Sequence, residues 1–197
     1  MERLMQTASY RHRRDLRSDE VFEDNMKQTT RQERFWAMQV LMAEFRARGK
    51  VVEVFDYGVD NTGEIIESKL ENTNADYLFI IDGKEYRIEI KTIKEWCQCY
   101  TFKFELMKKY VEQKAVMLVP RRYVYYTISV AAIQEMLSNF RPRIWRGFSP
   151  NDRAIRIGQS DMDDYVSRGL VKKRAWSPEA REIIEKNYEM LFEEKRK

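Results

Sequence analysis

The chain has 197 residues, of which 43% are hydrophobic and 35% are charged; this size and composition suit one folded domain and exclude a wholly disordered protein. Its 36 basic and 32 acidic residues leave a net charge of +4, which is too small to identify a polyanionic partner by itself. Two cysteines and one histidine exclude a disulfide framework and a zinc site of four Cys and His ligands, and they disfavour a catalytic triad built on histidine.

The first predicted unit is a basic N-terminal arm or short helix, residues 1–29. Residues 1–17 carry five arginines against two acidic residues, a local excess of three positive charges. Such a segment suits contacts with nucleic-acid phosphates, although a solvated arm explains it almost as well. The N-terminus lacks the apolar stretch of a signal peptide, and the sequence has no run of 18 apolar residues. We therefore expect no membrane insertion and a cytoplasmic location.

The predicted core, residues 30–140, opens with a helix. Thr30 and Glu33 match the two ends of a capping box, and apolar residues then recur at helical spacing. Gly49 is typical of the position just past a helix end. The pattern predicts a helix over residues 31–48.

A strand, a loop and a hairpin come next. β-Branched and aromatic residues predict a strand over 50–57, and turn-forming residues predict a loop over 58–75. Asp82 and Gly83 form the two-residue turn that tight hairpins favour, because both positions need a positive φ. In the second strand of this hairpin, one face is predicted to carry Tyr86, Ile88 and Ile90, and the other Glu85, Arg87, Glu89 and Lys91.

The rest of the core is predicted to hold a helix, two strands and a short helix. An apolar stripe with lysines turned outward predicts a helix over 101–114. The apolar run 115–119 is typical of a strand buried on both faces, and residues 123–128 predict another strand. Ser129 is a predicted cap for a helix that runs to about Leu137.

The last predicted unit, residues 141–197, is a basic segment followed by a helical extension. Residues 141–156 carry five arginines against one aspartate, with Trp145 and Phe148 among them, which suits contacts with phosphates and bases. Ser177 and the proline after it predict the start of a terminal amphipathic helix. The candidate nucleic-acid contacts in the two basic segments are Arg11, Arg13, Arg14, Arg141, Arg143 and Arg146.

This order of elements predicts a mixed α/β fold rather than a doubly wound parallel one, because the hairpin supplies antiparallel pairs. We expect a central mixed β-sheet flanked by helices.

Three side chains are predicted to meet at the open end of the hairpin. Glu89 and Lys91 lie two residues apart and therefore share one face of a strand. Asp76 begins the adjoining strand, so pairing about the turn brings it toward Glu89. A solvated strand face with ordinary charges is the plainer explanation of Glu-x-Lys alone. Two carboxylates and a main-chain carbonyl, however, are ligands that Mg²⁺ prefers, and a lysine beside them suits phosphodiester hydrolysis without histidine.

At these residues the chain resembles the PD-(D/E)XK nuclease superfamily, and its Holliday-junction-resolvase-like branch most of all. The family pattern is an acidic residue, a short hairpin, then Glu or Asp, any residue, and Lys; the chain has Asp76, then Glu89-Ile90-Lys91. Ala75 stands where the family often has proline. The resemblance spans about residues 30–137.

The resemblance implies a restriction-endonuclease-like core and a role for each motif residue. Asp76, Glu89 and Lys91 would be catalytic, and Mg²⁺ or Mn²⁺ would be held by Asp76, Glu89 and the Ile90 carbonyl. Glu33 matches a helical position that supports the metal in the family, although it equally fits the capping box, and Glu44 is a second candidate. Lys94 would touch a phosphate, or is an ordinary surface lysine.

The leading hypothesis is a Mg²⁺-dependent endonuclease that hydrolyses phosphodiester bonds in DNA, with branched or otherwise structured DNA as a candidate substrate. One alternative is a non-enzymatic nucleic-acid-binding or assembly subunit that has kept the fold without turnover. Another is a protein-interaction module that uses the C-terminal helix. The resemblance further implies a homodimer.

Overall fold

The computed structural model of the chain describes residues 28–56, 75–93, 97–144 and 153–192. Within these residues the elements in chain order are helix α1 (28–47), strands β1 (Val52–Asp56), β2 (Tyr77–Ile81), β3 (Lys84–Ile90) and β4 (Cys99–Lys103), helix α2 (Phe104–Glu112), strands β5 (Val116–Pro120) and β6 (Val124–Ile128), helix α3 (Val130–Asn139), strands β7 (Arg143–Ile144) and β8 (Arg153–Gly158), helix α4 (Gln159–Ser167), strand β9 (Val171–Ala175) and helix α5 (Pro178–Phe192).

The described strands form two sheets. The main sheet has six strands in the order β1-β2-β3-β5-β6-β9, and the smaller sheet has the order β4-β8-β7. In the main sheet β3 and β5 are parallel, and the other neighbours are antiparallel. The predicted mixed α/β fold with a central mixed sheet and an antiparallel hairpin is therefore confirmed.

The predicted hairpin turn is present, with both central residues in the left-handed region. Asp82 has a φ of 50° and Gly83 a φ of 77°. These values are those that a two-residue turn requires, and they set the β2–β3 register in which Tyr77 lies opposite Ile88. The Asp82 carboxylate also accepts a bond from the Lys50 ammonium at 2.7 Å, which ties the turn to the chain before β1.

Two apolar clusters cover the two faces of the main sheet. On one face, α1 and α5 pack against strand residues that include Phe79 and Ile90, and Trp36 stacks on Trp176 with ring centroids 5.6 Å apart. On the other face, α2, α3, α4 and the smaller sheet cover residues such as Met117. The sheet thus has a helical layer on each face.

The helix α1 begins earlier than the sequence predicts. Residues 28–30 are already helical, and Thr30 is 4% exposed inside the helix. The prediction that the helix starts at residue 31 behind a capping box is therefore wrong, because the local motif is present but the helix continues through it. Over Trp36–Leu41 the helix widens to a π-helical turn.

The predicted second helix is also too long at its start. Residues 101–103 belong to β4, whose partners are on β8, and α2 begins at Phe104. Tyr100 and Phe102 point into the core from this strand. The prediction is correct to within two residues at both ends of β5, β6 and the Ser129-capped helix α3. It is also correct for the start of the terminal helix α5, the only end of that helix that was predicted. The predicted loop 58–75 lies almost wholly outside the described residues.

The C-terminal part of the chain contributes strands as well as helices. β8 pairs with β4, and β9 forms an edge of the main sheet beside β6. The sequence does not predict either strand. Among the described residues, none of the helices is both long and apolar enough to cross a membrane.

Glu44, on α1, is a buried carboxylate that joins three elements. One carboxylate oxygen accepts bonds from Arg48 Nε at 2.8 Å and the Tyr125 hydroxyl at 3.1 Å, and the other accepts from the Ser177 amide at 2.7 Å. Burial by itself raises the pKa of Glu44, but the Ser177 amide and the Arg48 guanidinium outweigh it and hold the pKa below its usual value. These bonds explain the residue without a metal, so Glu44 is a structural carboxylate.

We predict that Glu44→Gln destabilises the fold by about 2 kcal/mol at neutral pH, because the amide replaces charge-assisted hydrogen bonds. A lowered folded-state pKa stabilises the fold above the usual value of 4.5 and loses that contribution as pH falls through the folded value. Urea unfolding over a pH series should therefore show the gap between wild type and variant closing in acid. A gap that stays constant with pH would contradict this role; Glu53→Gln, at an exposed position of β1, is the control.

Candidate active site

The site is built where β3 reaches its carboxyl end. Ile88 and Ile90 point into the cluster beneath α1, so Glu89, between them, points to the opposite face. There Glu89 lies beside Met117 of β5 and is only 2% exposed. Period-two alternation on this strand agrees with the sequence prediction, except that burial is confined to its last three residues.

Three donors surround the Glu89 carboxylate. The Tyr110 hydroxyl donates to Oε1 at 2.7 Å, and the Lys91 ammonium forms an ion pair with the same oxygen. The Asp76 amide donates to Oε2 at 3.2 Å. A carboxylate has about four acceptor positions, so these contacts leave Oε2 able to accept a further partner.

Asp76 reaches Glu89 because β2 stops one residue short. In the hairpin register Tyr77 pairs with Ile88, and one step further places Asp76 opposite Glu89. The chain has left the sheet at that step, since the Ala75 amide donates to the Gln113 side chain at 3.0 Å rather than continuing the ladder. The structure therefore brings together the two acidic residues that the sequence singled out.

The end of β2 also leaves one main-chain carbonyl outside the ladder. The Lys91 amide donates to Leu118 on β5 at 2.9 Å. Successive residues of a strand direct their polar groups to opposite sides, so the Ile90 carbonyl points away from β5, toward the place that β2 has left. This is the carbonyl that the family resemblance assigns to a metal.

Lys91 is an ammonium held by several acidic groups. Burial by itself lowers its pKa, but Glu89, then Tyr110, Asp76 and Glu33 raise it well above the usual value. Burial likewise raises the pKa of Tyr110, and Glu89 adds to the rise. Tyr110 therefore stays a hydroxyl donor and Lys91 a cation at neutral pH.

Glu33 lies on α1 near this end of the sheet and is 7% exposed. Because the helix runs through Thr30, Glu33 is not the third residue of a cap. The negative charge of Glu33 helps to raise the pKa of Lys91. The pKa of Tyr77 is raised above its usual value by burial first, and then by the charges of Asp56, Glu33 and Asp76. Four carboxylates thus lie within electrostatic range of the groups at this end of the sheet.

The donor set fits a hard divalent cation. Glu89 and Asp76 supply carboxylates, the Ile90 carbonyl is an oxygen outside the ladder, and all of these are oxygen ligands. Among the described residues, no group of three or more Asp, Glu, His or Cys side chains is arranged to hold a metal. Mg²⁺ is commonly held by one or two carboxylates and keeps several waters, so a site of this kind would need few protein ligands.

Several predicted contacts cannot be placed. Lys94, Arg146 and the N-terminal Arg11, Arg13 and Arg14 lie outside the described residues. Arg141 and Arg143 are exposed, and Arg143 belongs to β7 in the smaller sheet. Neither is among the partners of Glu89.

The sequence analysis missed Tyr110. It lies three residues after Met107 on the buried face of α2 and is 3% exposed. In the sequence, Tyr110 differs from its apolar neighbours on the helix only by its hydroxyl group. That difference does not predict which carboxylate the hydroxyl binds. The aromatic ring fills the core while the hydroxyl fixes the orientation of Glu89.

We predict that Lys91→Met lowers the free energy of unfolding by about 3 kcal/mol, because it leaves a buried carboxylate without its cation. The double variant Lys91→Met with Glu89→Gln should lose less unfolding free energy than the sum of the losses in the two single variants. The difference is a coupling free energy of about 1–3 kcal/mol. Denaturant unfolding of the four proteins measures this coupling.

The exposed pair Lys50 and Asp82, whose charged atoms are 2.7 Å apart, is the matched control. The cycle Lys50→Met with Asp82→Asn should give a clearly smaller coupling, because solvent screens exposed charges. Equal coupling in the two cycles would show that burial does not strengthen the Glu89 pair.

Comparison of the chain with protein-family models and with curated proteins found no match in either case. A function has to be inferred from the residues of the site.

Proposed function

We propose that the protein is a metal-dependent nuclease that hydrolyses phosphodiester bonds in DNA, with Asp76, Glu89 and Lys91 as its catalytic residues. The observation that carries the proposal is the approach of Asp76 to Glu89 at the end of β3, with the Lys91 ammonium on the same carboxylate. Two acidic residues and one lysine in this order along the chain match the PD-(D/E)XK pattern, and the Asp76 main-chain amide brings the first acidic residue to the second. Mg²⁺ or Mn²⁺ is the proposed cofactor.

Each residue has a separate task in this proposal. Glu89 and Asp76 would hold the cation, which when bound would supply a Lewis acid for the phosphate and its attacking water. The Lys91 ammonium donates to a phosphate oxygen and stabilises the negative charge that develops as water adds to phosphorus and one P–O bond breaks. Tyr110 is a positioning residue, since it acts only through Glu89.

The position of Glu33 supports a secondary role. It is buried, it does not cap α1, and its charge reaches Lys91. We assign it to the support of the cation, through water or directly. A homodimer and a preference for branched DNA remain predictions of the family resemblance.

We predict that Glu89→Gln reduces cleavage of a DNA duplex in Mg²⁺ by at least about a thousandfold, because the transition-state charge loses its cation. The affinity for DNA measured in Ca²⁺ should change little. The control is Glu85→Gln, on the same face of the same strand but exposed, which should cut at the wild-type rate.

Three outcomes of this assay differ in meaning. Cleavage by Glu89→Gln at the wild-type rate would show that the site is not catalytic. A wild type that binds DNA without cutting any linear, single-stranded, flapped or four-way substrate would favour the non-enzymatic alternative. Loss of cleavage in both variants would point to damage of β3 rather than to chemistry.

We predict that Tyr110→Phe lowers cleavage about tenfold and shifts its Mg²⁺ dependence to higher concentration, because Glu89 loses the hydroxyl that orients it. The measurement is the initial rate across a Mg²⁺ titration. A merely structural tyrosine would lower the rate without moving the titration midpoint. Tyr126→Phe is the control, since its hydroxyl lies at the Gln159 side chain instead.

We further predict that Mn²⁺ raises the Tm of the wild type and leaves that of Glu89→Gln unchanged. A ligand that binds only the folded state stabilises it by about 2.7 kcal/mol at a hundred times its Kd. The measurement is a thermal unfolding series in which each protein is compared with itself without metal. An equal rise in both proteins would mean that the ion binds elsewhere.

A further inference from the structure

The smaller sheet has one face turned toward the core and one turned away from it. Tyr100 and Phe102 of β4 and Ile155 and Ile157 of β8 are buried on the core side. Alternation along paired strands places the residues between them on the opposite side, which we call the outer face. By register the outer face carries Cys99, Thr101, Lys103, Arg143, Ala154, Arg156 and Gly158.

The outer face is basic. It carries Lys103, Arg143 and Arg156, and none of its seven positions holds an acidic residue. Arg143 and Arg156 are exposed and Lys103 is half-buried. Arg153, on the other face of β8, pairs with Glu105 at 2.6 Å.

The spacing of the three cations suits a phosphate backbone. Lys103 and Arg143 both lie opposite Ala154, one on each side of β8, so their main chains are about 10 Å apart. Arg156 lies two residues beyond Ala154 on β8, so its main chain is about 7 Å from that of Ala154. DNA carries one phosphate per about 3.4 Å of axis on each strand, so three long side chains on this triangle reach neighbouring phosphates.

The residues between the cations are short: Cys99, Thr101, Ala154 and Gly158. Ala154 is only 4% exposed, so a ligand on this face meets the long basic side chains rather than the strand itself. At one end, a recess is lined by Cys97, Gln98, Cys99, Arg156 and Gly158. A phosphate group can enter such a recess beside the Arg156 guanidinium.

The start of β4 lies at the edge of the main sheet where β3 and β5 end. β3 and β5 are parallel, so Lys91 and Arg121 both follow strands that end at the same edge of the main sheet. Arg121 donates to the Cys97 carbonyl at 2.7 Å, which holds the start of β4 at that edge. Lys91 and the Cys99 end of the smaller sheet therefore share one edge of the main sheet, although the outer face itself is turned away from the cluster that Glu89 faces.

We propose that the outer face binds the phosphate backbone of duplex DNA and guides it toward Asp76, Glu89 and Lys91. This inference rests on the proposed function; it adds Lys103 to the basic positions that the sequence suggested and selects Arg143 and Arg156 from the basic segment 141–156. The contacts are to phosphates, so they set affinity and position without reading sequence.

The test compares two triple variants that each remove three positive charges. The first is Lys103→Gln with Arg143→Gln and Arg156→Gln. The control is Lys84→Gln with Arg87→Gln and Lys172→Gln, at exposed positions of β3 and β9. Binding of a labelled 30-base-pair duplex is measured by fluorescence anisotropy in Ca²⁺ over a salt series, after far-ultraviolet circular dichroism has shown that both variants are folded.

We expect the outer-face variant to bind at least about tenfold more weakly than wild type. The slope of log affinity against log salt should be about three smaller in magnitude, since each lost phosphate contact removes about 0.9. The control variant should keep the wild-type slope. The proposal is overturned if the two variants weaken equally, if neither weakens, or if the wild type does not bind the duplex.

Cleavage in Mg²⁺ at saturating DNA separates this inference from the proposed function. If the wild type cleaves DNA and the outer-face variant binds DNA as tightly as the wild type does, the proposed function stands and the proposed binding surface is wrong. A protein that binds through the outer face and never cuts keeps the surface and loses the nuclease.

Discussion

The structure depends on the need to compensate one buried carboxylate, Glu89. A carboxylate that is 2% exposed is costly unless hydrogen bonds and a cation replace its water. Tyr110, Lys91 and the Asp76 amide supply those partners from α2, the end of β3 and the start of β2. Because the partners come from three elements, the burial of Glu89 fixes how those elements meet.

In the main sheet, β2 ends before the neighbouring strand β3 does. β3 pairs with β2 from Lys84 to Ile88 and with β5 from Ile88 to Ile90, so beyond Ile88 it pairs with β5 alone among the described strands. Beyond Ile88 the place beside β3 is taken by Asp76, whose main-chain amide donates to Glu89, while Ile88 and Ile90 remain buried beneath α1. A rigid strand thus holds a carboxylate and a main-chain carbonyl at one edge of the sheet, and the proposed metal-assisted hydrolysis would use this combination.

Features set by near neighbours in the chain were predictable from the sequence, and features set by distant contacts were not. The Asp82-Gly83 turn fixes its own φ values, and alternation then separates Glu89 from Ile90. The Thr30 to Glu33 motif misled because residues 28–30 are already helical and α1 continues through it. β9 was missed because its last four residues, Lys172 to Ala175, are exposed and show no apolar alternation, and only its pairing with β6 makes it a strand. Tyr110 was missed because its partner lies 21 positions away in the chain.

The most direct test is to locate the cation. Crystals of the protein soaked in Mn²⁺ should show an anomalous peak at about 2.1 Å from Glu89 Oε2, within reach of an Asp76 carboxylate oxygen and the Ile90 carbonyl. A peak at other residues with none beside Glu89, in a protein that cleaves DNA under the same conditions, would contradict the assignment.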